Sequence, residues 1–437
     1  MYRRIARAVG GEEEPPAAAA AAASDARETG AYLARWQNAD AAMELGVEDW
    51  YCDTRQRLAY ELGNVTPEGI RTLYGNKLNL SASQVDRHAE CRLSYFLKYG
   101  LRAKERKEYT VDPAEFGTYV HDVLEHTAKE VMSLGGFEAV SLEQTIEIAR
   151  KHSDDYAAAN FAQLDSLRLD YLFRRNWREL EMVVQELWQE LKDSQFRPEA
   201  FELAFGDDGE MPAIDVQNAA IRACLRGFVD RVDLWKNGNQ HYFRVVDYKT
   251  GKKDFDYCDV FNGVGLQMLL YLFALEMSDY GKAAGVQYFP ARVPLVSADG
   301  RVTDEEAQKM RQKEWKRKGL LLFDEEVLQA MEPGEEMSRL CCTRKKDGSL
   351  TGDLADREQL KLLRQYVFGL LTDMVNEIAS GNITPNPYTR GTSHNACTYC
   401  PYGSICHQAQ VEGRRNYKTM PAQRFWEEVE KEVDRRG

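Results

Sequence analysis

The chain has 437 residues, enough for about two or three domains, and 43% of them are hydrophobic, enough for a buried core. A formal charge of −13 excludes a surface coated in base for indiscriminate nucleic-acid binding, while leaving room for a local basic channel or one supplied by a partner. Nine cysteines are too few and too uneven for a disulfide scaffold, no apolar run reaches membrane-span length, and the apolar N-terminal residues are mostly alanine, so a reducing, cytoplasmic setting is the expectation.

Residues 1–30 carry Gly10-Gly11, Pro15-Pro16 and an alanine run, the composition of a disordered, low-complexity tail. Residues 31–75 read as helix in pieces, anchored by Trp36, Leu45, Trp50, Leu58 and Leu62, a candidate remnant of an upstream region. A domain is expected over 76–420. Its first helix is capped near Ser81 and runs to about Tyr99, with Cys91 among Leu93, Tyr95, Phe96 and Leu97. Pro113 suits the first turn of the next helix, which places His121 and Glu125 on one face. Helices are expected over 142–160 and 165–193, and a strand over 201–205.

Residues 227–251 read as a β-hairpin. Its first arm spans about 220–235, and Lys236-Asn237-Gly238-Asn239 is a turn with Asn-Gly at the centre. The second arm, 242–249, is rich in Val, Tyr and Phe. An apolar helix over 265–277 bears Gln267 and Tyr271, and a short strand follows at 286–289. The basic run 311–318, beside Trp315, reads as a solvated helix face. A long apolar helix over 360–378, an irregular loop over 384–395 and a charged terminal helix within 421–437 complete the chain.

Two groups carry chemistry. Asp247 and Lys249 are two apart on a strand and so point to one face, and Asp230 on the partner arm reaches the same space. Two carboxylates and an ammonium suit a divalent cation and a scissile phosphate, although Asp-x-Lys also occurs on plain solvated strands. Cys397, Cys400 and Cys406 have metal-binding spacing, and Cys91 is the best fourth ligand. Cys52, Cys224, Cys258, Cys341 and Cys342 read as small hydrophobes or surface thiols. Spacing alone leaves zinc and iron–sulfur both open.

Asp230 followed by Asp247-Tyr248-Lys249 resembles the signature of PD-(D/E)XK nucleases in their RecB-like form. The ordered set is wider: residues 80–84, 91–101, 116–121 with Glu125, 227–233, 246–251, Gln267 with Tyr271, and Cys397-x-x-Cys400-Pro401. Over about 76–408 it is similar to the iron–sulfur nuclease domain of the AddB family of helicase–nuclease subunits. The resemblance implies an α/β fold: a restriction-endonuclease-like core, with a mixed central sheet flanked by helices and a 4Fe-4S pin. It implies Mg²⁺ or Mn²⁺ held by Asp230, Asp247, His121 and the backbone carbonyl of Tyr248. Lys249 would offset charge on the phosphate and orient water, with Gln267 and Tyr271 buttressing the site or touching the DNA backbone. Cys91, Cys397, Cys400 and Cys406 would hold the 4Fe-4S cluster.

The implied activity is metal-dependent exonuclease action on single-stranded DNA from an unwound duplex end, in double-strand break processing, within a heterodimer with an AddA-like helicase–nuclease. Two alternatives stand beside it: a stand-alone iron–sulfur exonuclease of the CRISPR-adaptation type, and a catalytically silent DNA-binding or assembly module. The chain departs from the family at Cys91-Arg92-Leu93, where Cys-Pro-Phe is usual, and it has no GxxxxGK[ST] loop for ATP.

Overall fold

The computed structural model describes residues 26–35, 37–58, 64–104, 113–161, 167–206, 209–293, 300–334, 336–391, 394–406 and 413–436. It divides into two units, Met1–Asn64 and Val65–Gly437. In the first, α1 (Ala26–Arg35), α2 (Ala39–Glu44) and α3 (Glu48–Leu58) enclose a small core of Leu33, Ala41, Ala42 and Val47. Most of the expected tail, residues 1–25, lies outside the described residues, but 26–30 already belong to α1. Trp50, expected as an anchor, is exposed. Short helices in close contact select small residues: a side chain at Gly30 would meet the Trp50 Cβ at 2.4 Å. Trp36 and Leu62 lie outside the described residues.

The second unit opens with α4 (Pro67–Tyr74), which the sequence reading groups with the upstream segment. β1 (Lys77–Leu80) leads into α5 (Ala82–Glu90), where Ser81 and Gln84 cap each other's backbone N–H groups. The expected single helix breaks at Cys91, which is extended at φ −168°, before α6 (Arg92–Tyr95) and a π-helical turn, Phe96–Gly100. Arg92, where the family has proline, keeps a backbone N–H and donates it to Asn386 Oδ1 at 2.9 Å. Three helices follow: α7 (Pro113–Ser133), α8 (Leu142–Phe161) and α9 (Leu167–Asp193).

Next come β2 (Arg197–Phe205), β3 (Ile214–Asp215), β4 (Arg222–Leu225), β5 (Gly227–Asn237) and β6 (Gln240–Lys249). The hairpin arm expected over 220–235 is therefore two strands. β4 pairs with β1 in a separate small sheet, and the chain crosses at Arg226, whose N–H binds the Leu80 carbonyl. The hairpin loop is Gly238-Asn239, one residue later than the Asn-Gly reading. Gly238 takes φ +58°, the conformation a tight hairpin needs at its first loop residue.

α10 (Tyr257–Phe261), α11 (Gln267–Met277), β7 (Lys282–Pro290), α12 (Asp304–Glu314), β8 (Lys318–Leu322) and α13 (Glu325–Met331) continue the chain. The rest is β9 (Cys342–Arg344), β10 (Leu350–Gly352), β11 (Leu354–Ala355), α14 (Arg357–Ala379), β12 (Tyr388–Arg390), β13 (His394–Asn395), α15 (Gly403–Cys406), β14 (Arg415–Asn416) and α16 (Ala422–Arg436). The loop expected over 384–395 thus contains two short strands. The terminal helix is not an appendage, because Phe425 and Val429 are buried in the main core.

The central sheet has six strands in the order β11-β8-β7-β6-β5-β2. It is mixed: β6 runs parallel to β7, and β11 to β8, while the other pairs are antiparallel. Strand alternation sorts the side chains between two cores. Phe243 and Val245 of β6 join the core formed with α11, α14 and α16, and Val246 and Tyr248 join the one formed with α7 and α9. The expected mixed sheet flanked by helices is thus the observed architecture. Among the described residues no helix is long and apolar enough to cross a membrane.

The second face also holds a buried ionic network. Glu190 of α9 accepts from Arg231 and Arg244 at 3.0 Å through Oε1, and from Arg317 at 2.6 Å through Oε2. Asp233 pairs with Arg231 at 2.9 Å and with Arg244 at 2.8 Å. Burial alone would raise the Glu190 carboxyl, but Arg317, Arg244 and Arg231 together hold it far below the usual carboxylate range. The network clamps α9 to the back of the β5–β6 hairpin.

Candidate active site

Strand register puts three carboxylates side by side. Arg231 pairs with Val246 and Phe201 with Arg231, so one step along the strands Asp230 faces Asp247 on one side and Glu202 on the other. Beyond Asp247, the next residue in the row is Tyr288 of β7. Like charges directly opposite one another are destabilising in a sheet. Such a row persists where a cation or a compensating base is part of the design.

Asp247 is buried, and its carboxyl is pushed up to about 6 by burial first and by the Asp230 charge second, against the opposing pull of Lys249. Lys249 projects to the same face, with Nζ 2.5 Å from Asp247 Oδ2. Asp230 Oδ2 accepts the Tyr248 N–H at 2.8 Å, which aims the carboxylate across the end of the hairpin. His121 reaches in from α7. Its Nε2 donates to the Tyr248 carbonyl at 2.7 Å, and its Nδ1 lies 3.4 Å from Asp230 Oδ2.

Glu202 is the residue that sequence reasoning missed. One ligand atom from each of His121, Glu202 and Asp230 lies within 4.8 Å of the other two. Its carboxyl is pushed up to about 6 by burial, then by the charges of Asp230 and Glu125. Its backbone sits at φ +49°, an uncommon conformation for a non-glycine residue and one that redirects its side chain. The only sequence signal was an acidic residue inside the apolar strand Ala200–Phe205. Glu125 is held by Lys129, four residues on, and acts on Glu202 only through its charge.

Tyr271 lies beneath the row. Its ring stacks on Phe205 with centroids 5.9 Å apart, and its hydroxyl points at the start of β5. A Cβ at Gly227 would sit 2.3 Å from that hydroxyl, so glycine is what lets the tyrosine approach. Burial, then Asp230 and Asp247, push the phenol up to about 12. Tyr271 therefore stays protonated and able to donate. The N-terminus of α11 is set by Asp86, which accepts from the Gly265 and Leu266 N–H groups. The donor set of imidazole nitrogen, carboxylates and a backbone carbonyl fits a hard divalent cation.

A second site forms at the other motif. Cys91, Cys397, Cys400 and Cys406 line one cavity with Leu93, Pro385 and Tyr402. All are free thiols. Burial raises the Cys397 thiol, and the neighbouring thiols of Cys91, Cys400 and Cys406 add to it. The break at Cys91 turns that residue out of its helix toward the C-terminal loop. Of the other five, Cys52 is exposed, while Cys224, Cys258, Cys341 and Cys342 are buried away from this cavity. Four converging thiols with apolar walls fit a thiolate-bound metal or cluster.

Residues 79–407 match the family model described as the PD-(D/E)XK nuclease superfamily. Curated relatives are named as the B-type subunit of an ATP-dependent helicase/deoxyribonuclease. The one from Thermoanaerobacter sp. (strain X514) is 34% identical over 384 residues, covering 84% of this chain and 33% of the relative. That from Clostridium novyi (strain NT) is 35% identical over 359 residues, 78% of this chain and 31% of the relative. That from Acetivibrio thermocellus is 35% identical over 387 residues, 83% of this chain and 33% of the relative. The chain spans about a third of the length of these relatives.

Proposed function

The chain belongs to the PD-(D/E)XK nuclease superfamily, and from that premise we propose that it is the nuclease part of an AddAB-type helicase–nuclease, hydrolysing DNA phosphodiesters at the Glu202–Asp230–Asp247 row. The observation that carries this reading is the row itself: three carboxylates in register, with Lys249 and His121 at the same end of the sheet.

Asp230, Asp247, His121 and the Tyr248 carbonyl would hold Mg²⁺ or Mn²⁺ together with Glu202, whose closeness to His121 and Asp230 supports the reading, while Asp247 lies outside that cluster of three. The bound ion supplies Lewis-acid polarisation of the phosphoryl oxygen and an acidified water. Lys249 offsets the negative charge that develops on the phosphate and orients the attacking water. Burial around Asp247 keeps bulk water from weakening these interactions. Gln267 and Tyr271, one turn apart on α11, would buttress the site, the Tyr271 hydroxyl lying against Gly227 at the start of β5 behind Asp230.

The reading extends to substrate and partner. The relatives are named for a helicase and deoxyribonuclease, which supports a strand from an unwound duplex end and an AddA-like second subunit. In the test, the chain is given end-labelled single-stranded DNA with Mg²⁺ or with chelator. Progressive shortening only with Mg²⁺ is the expected result. Intact label after exposure to Mg²⁺ and to Mn²⁺, with and without the helicase partner, would overturn the reading.

The four-cysteine cavity is proposed to hold a 4Fe-4S cluster that pins the start of the domain to its C-terminal loop. Replacing Cys400 by Ala is expected to abolish bound iron and acid-labile sulfide, and to speed proteolysis between 385 and 415. Zinc in place of iron in the wild-type chain, or unchanged iron and protease resistance in the variant, would sink this assignment.

A further inference from the structure

The chain carries more acid than base, with 70 Asp and Glu against 57 Lys and Arg. One groove reverses that balance. It lies between α12 and the β9–β10 hairpin, and its volume is about 850 Å³. Six cations line it: Lys309, Lys313, Lys316, Arg344, Lys345 and Lys346. Among the described residues Glu336 is the one acid that lines it. The run 311–318 is thus not merely a solvated helix face. α12 stops at Glu314, the chain turns into β8, and the hairpin brings a second basic set up to the first.

Two of the cations build the groove. Lys316 Nζ donates to the Cys342 carbonyl at 2.7 Å and to Thr343 Oγ1 at 2.6 Å, tying the hairpin to the end of the helix. Arg344 is held by Glu325 and by the Gly348 carbonyl. The other four, Lys309, Lys313, Lys345 and Lys346, are exposed, and among the described residues they make no ion pair. Long, flexible ammonium groups without acidic partners suit a polyanion better than a small ligand, whose sites are mostly apolar.

Position gives the polyanion its identity. Asp247 pairs with Tyr288, and Tyr288 pairs with Lys318 at the start of β8. Lys318 thus stands two strands from Asp247, roughly 10 Å away at the same end of the sheet, and the groove opens beyond it at Lys316, two residues earlier in the chain. We propose that it is a track for the sugar–phosphate backbone of the DNA strand served by the nuclease site. This rests on the reading of DNA as substrate. An acidic protein surface is the competing occupant.

The test measures binding of a fluorescent single-stranded oligonucleotide by the full chain in chelator, where nothing is cleaved, across a salt series. The variant replaces Lys309, Lys313, Lys345 and Lys346 by Gln. A control replaces four exposed lysines elsewhere, Lys236, Lys282, Lys361 and Lys431, giving the same net charge. The groove variant is expected to lose affinity on the order of 100-fold at about 0.1 M salt, and its log–log salt slope to flatten by about 3. The four Lys→Arg replacements should restore both. Equal losses in control and groove variants, or wild-type affinity and slope in the groove variant, overturn the proposal. So does unchanged DNA binding with lost binding to the helicase partner, which would assign the groove to an acidic protein. Wild-type binding without cleavage in Mg²⁺ or in Mn²⁺, with or without the helicase partner, would refute the nuclease reading and leave the groove standing.

Discussion

Asp247→Ala is expected to abolish Mg²⁺-dependent digestion of single-stranded DNA, with a loss of at least about 10³-fold, and Lys249→Ala is expected to cost about 10²- to 10³-fold. The two losses differ in kind. Asp247 ends the carboxylate row, between Asp230 and the strand that carries Tyr288, so its removal would take away a proposed ligand and open the cation site. Lys249 is half-buried beside it and acts on charge that appears only as the phosphate reacts. Metal affinity, read by calorimetry, should therefore fall in the first variant and hold in the second.

Folding does not account for the loss in Asp247 variants. The Asp247 carboxyl is raised to about 6 in the folded chain by burial and by Asp230. A raised acid favours the folded state most below its unfolded pKa of about 4, and that advantage is lost as pH climbs through about 6. At pH 8 without metal, Asp247→Asn should melt no lower than wild type. Full activity in Asp247→Ala, or a variant that is inactive only because it is unfolded, would remove Asp247 from the site.

Glu190→Ala is the substitution with the largest expected effect on stability. It strips the shared counter-charge from Arg231, Arg244 and Arg317, each of them buried. Breaking one buried pair costs about 3–5 kcal/mol. Asp233 still compensates Arg231 and Arg244, but among the described residues Arg317 keeps only the Glu186 carboxylate, which is partly exposed. A loss of about 5 kcal/mol is a third or more of a typical domain's stability, and lowers Tm by roughly 6 °C in a unit of this size. Glu190→Gln retains the acceptor oxygen and should cost less. A Tm within about 2 °C of wild type for Glu190→Ala would show that the network contributes nothing net.

This network and the active site share a hairpin but not a face. Arg231 follows Asp230 and points the other way, and Tyr248, whose hydroxyl accepts from Arg231 at 3.1 Å, follows Asp247. The alternation that sends carboxylates to the catalytic face sends their neighbours into the buried clamp. Arg231, Asp233 and Arg244 are charged residues within strands, and nothing in strand spacing marks them as buried. Their burial depends on α9 lying across the back of the sheet, which strand spacing alone does not disclose.

The amino-acid sequence by itself determined the hairpin, the shared face of Asp247 and Lys249, the helix bearing His121 and the spacing of Cys397, Cys400 and Cys406. Each is a local matter: a period of two along a strand, a helix cap, a turn residue or a short loop. Only the tertiary structure decided that Glu202 completes the carboxylate row, because its place depends on strand register and on one left-handed backbone angle. It also split the first hairpin arm at Arg226, broke the helix at Cys91 and brought the 311–318 run against the β9–β10 hairpin. These features come from pairings between residues far apart in the chain. Their geometry follows from packing two cores against one sheet, and no local pattern encodes it.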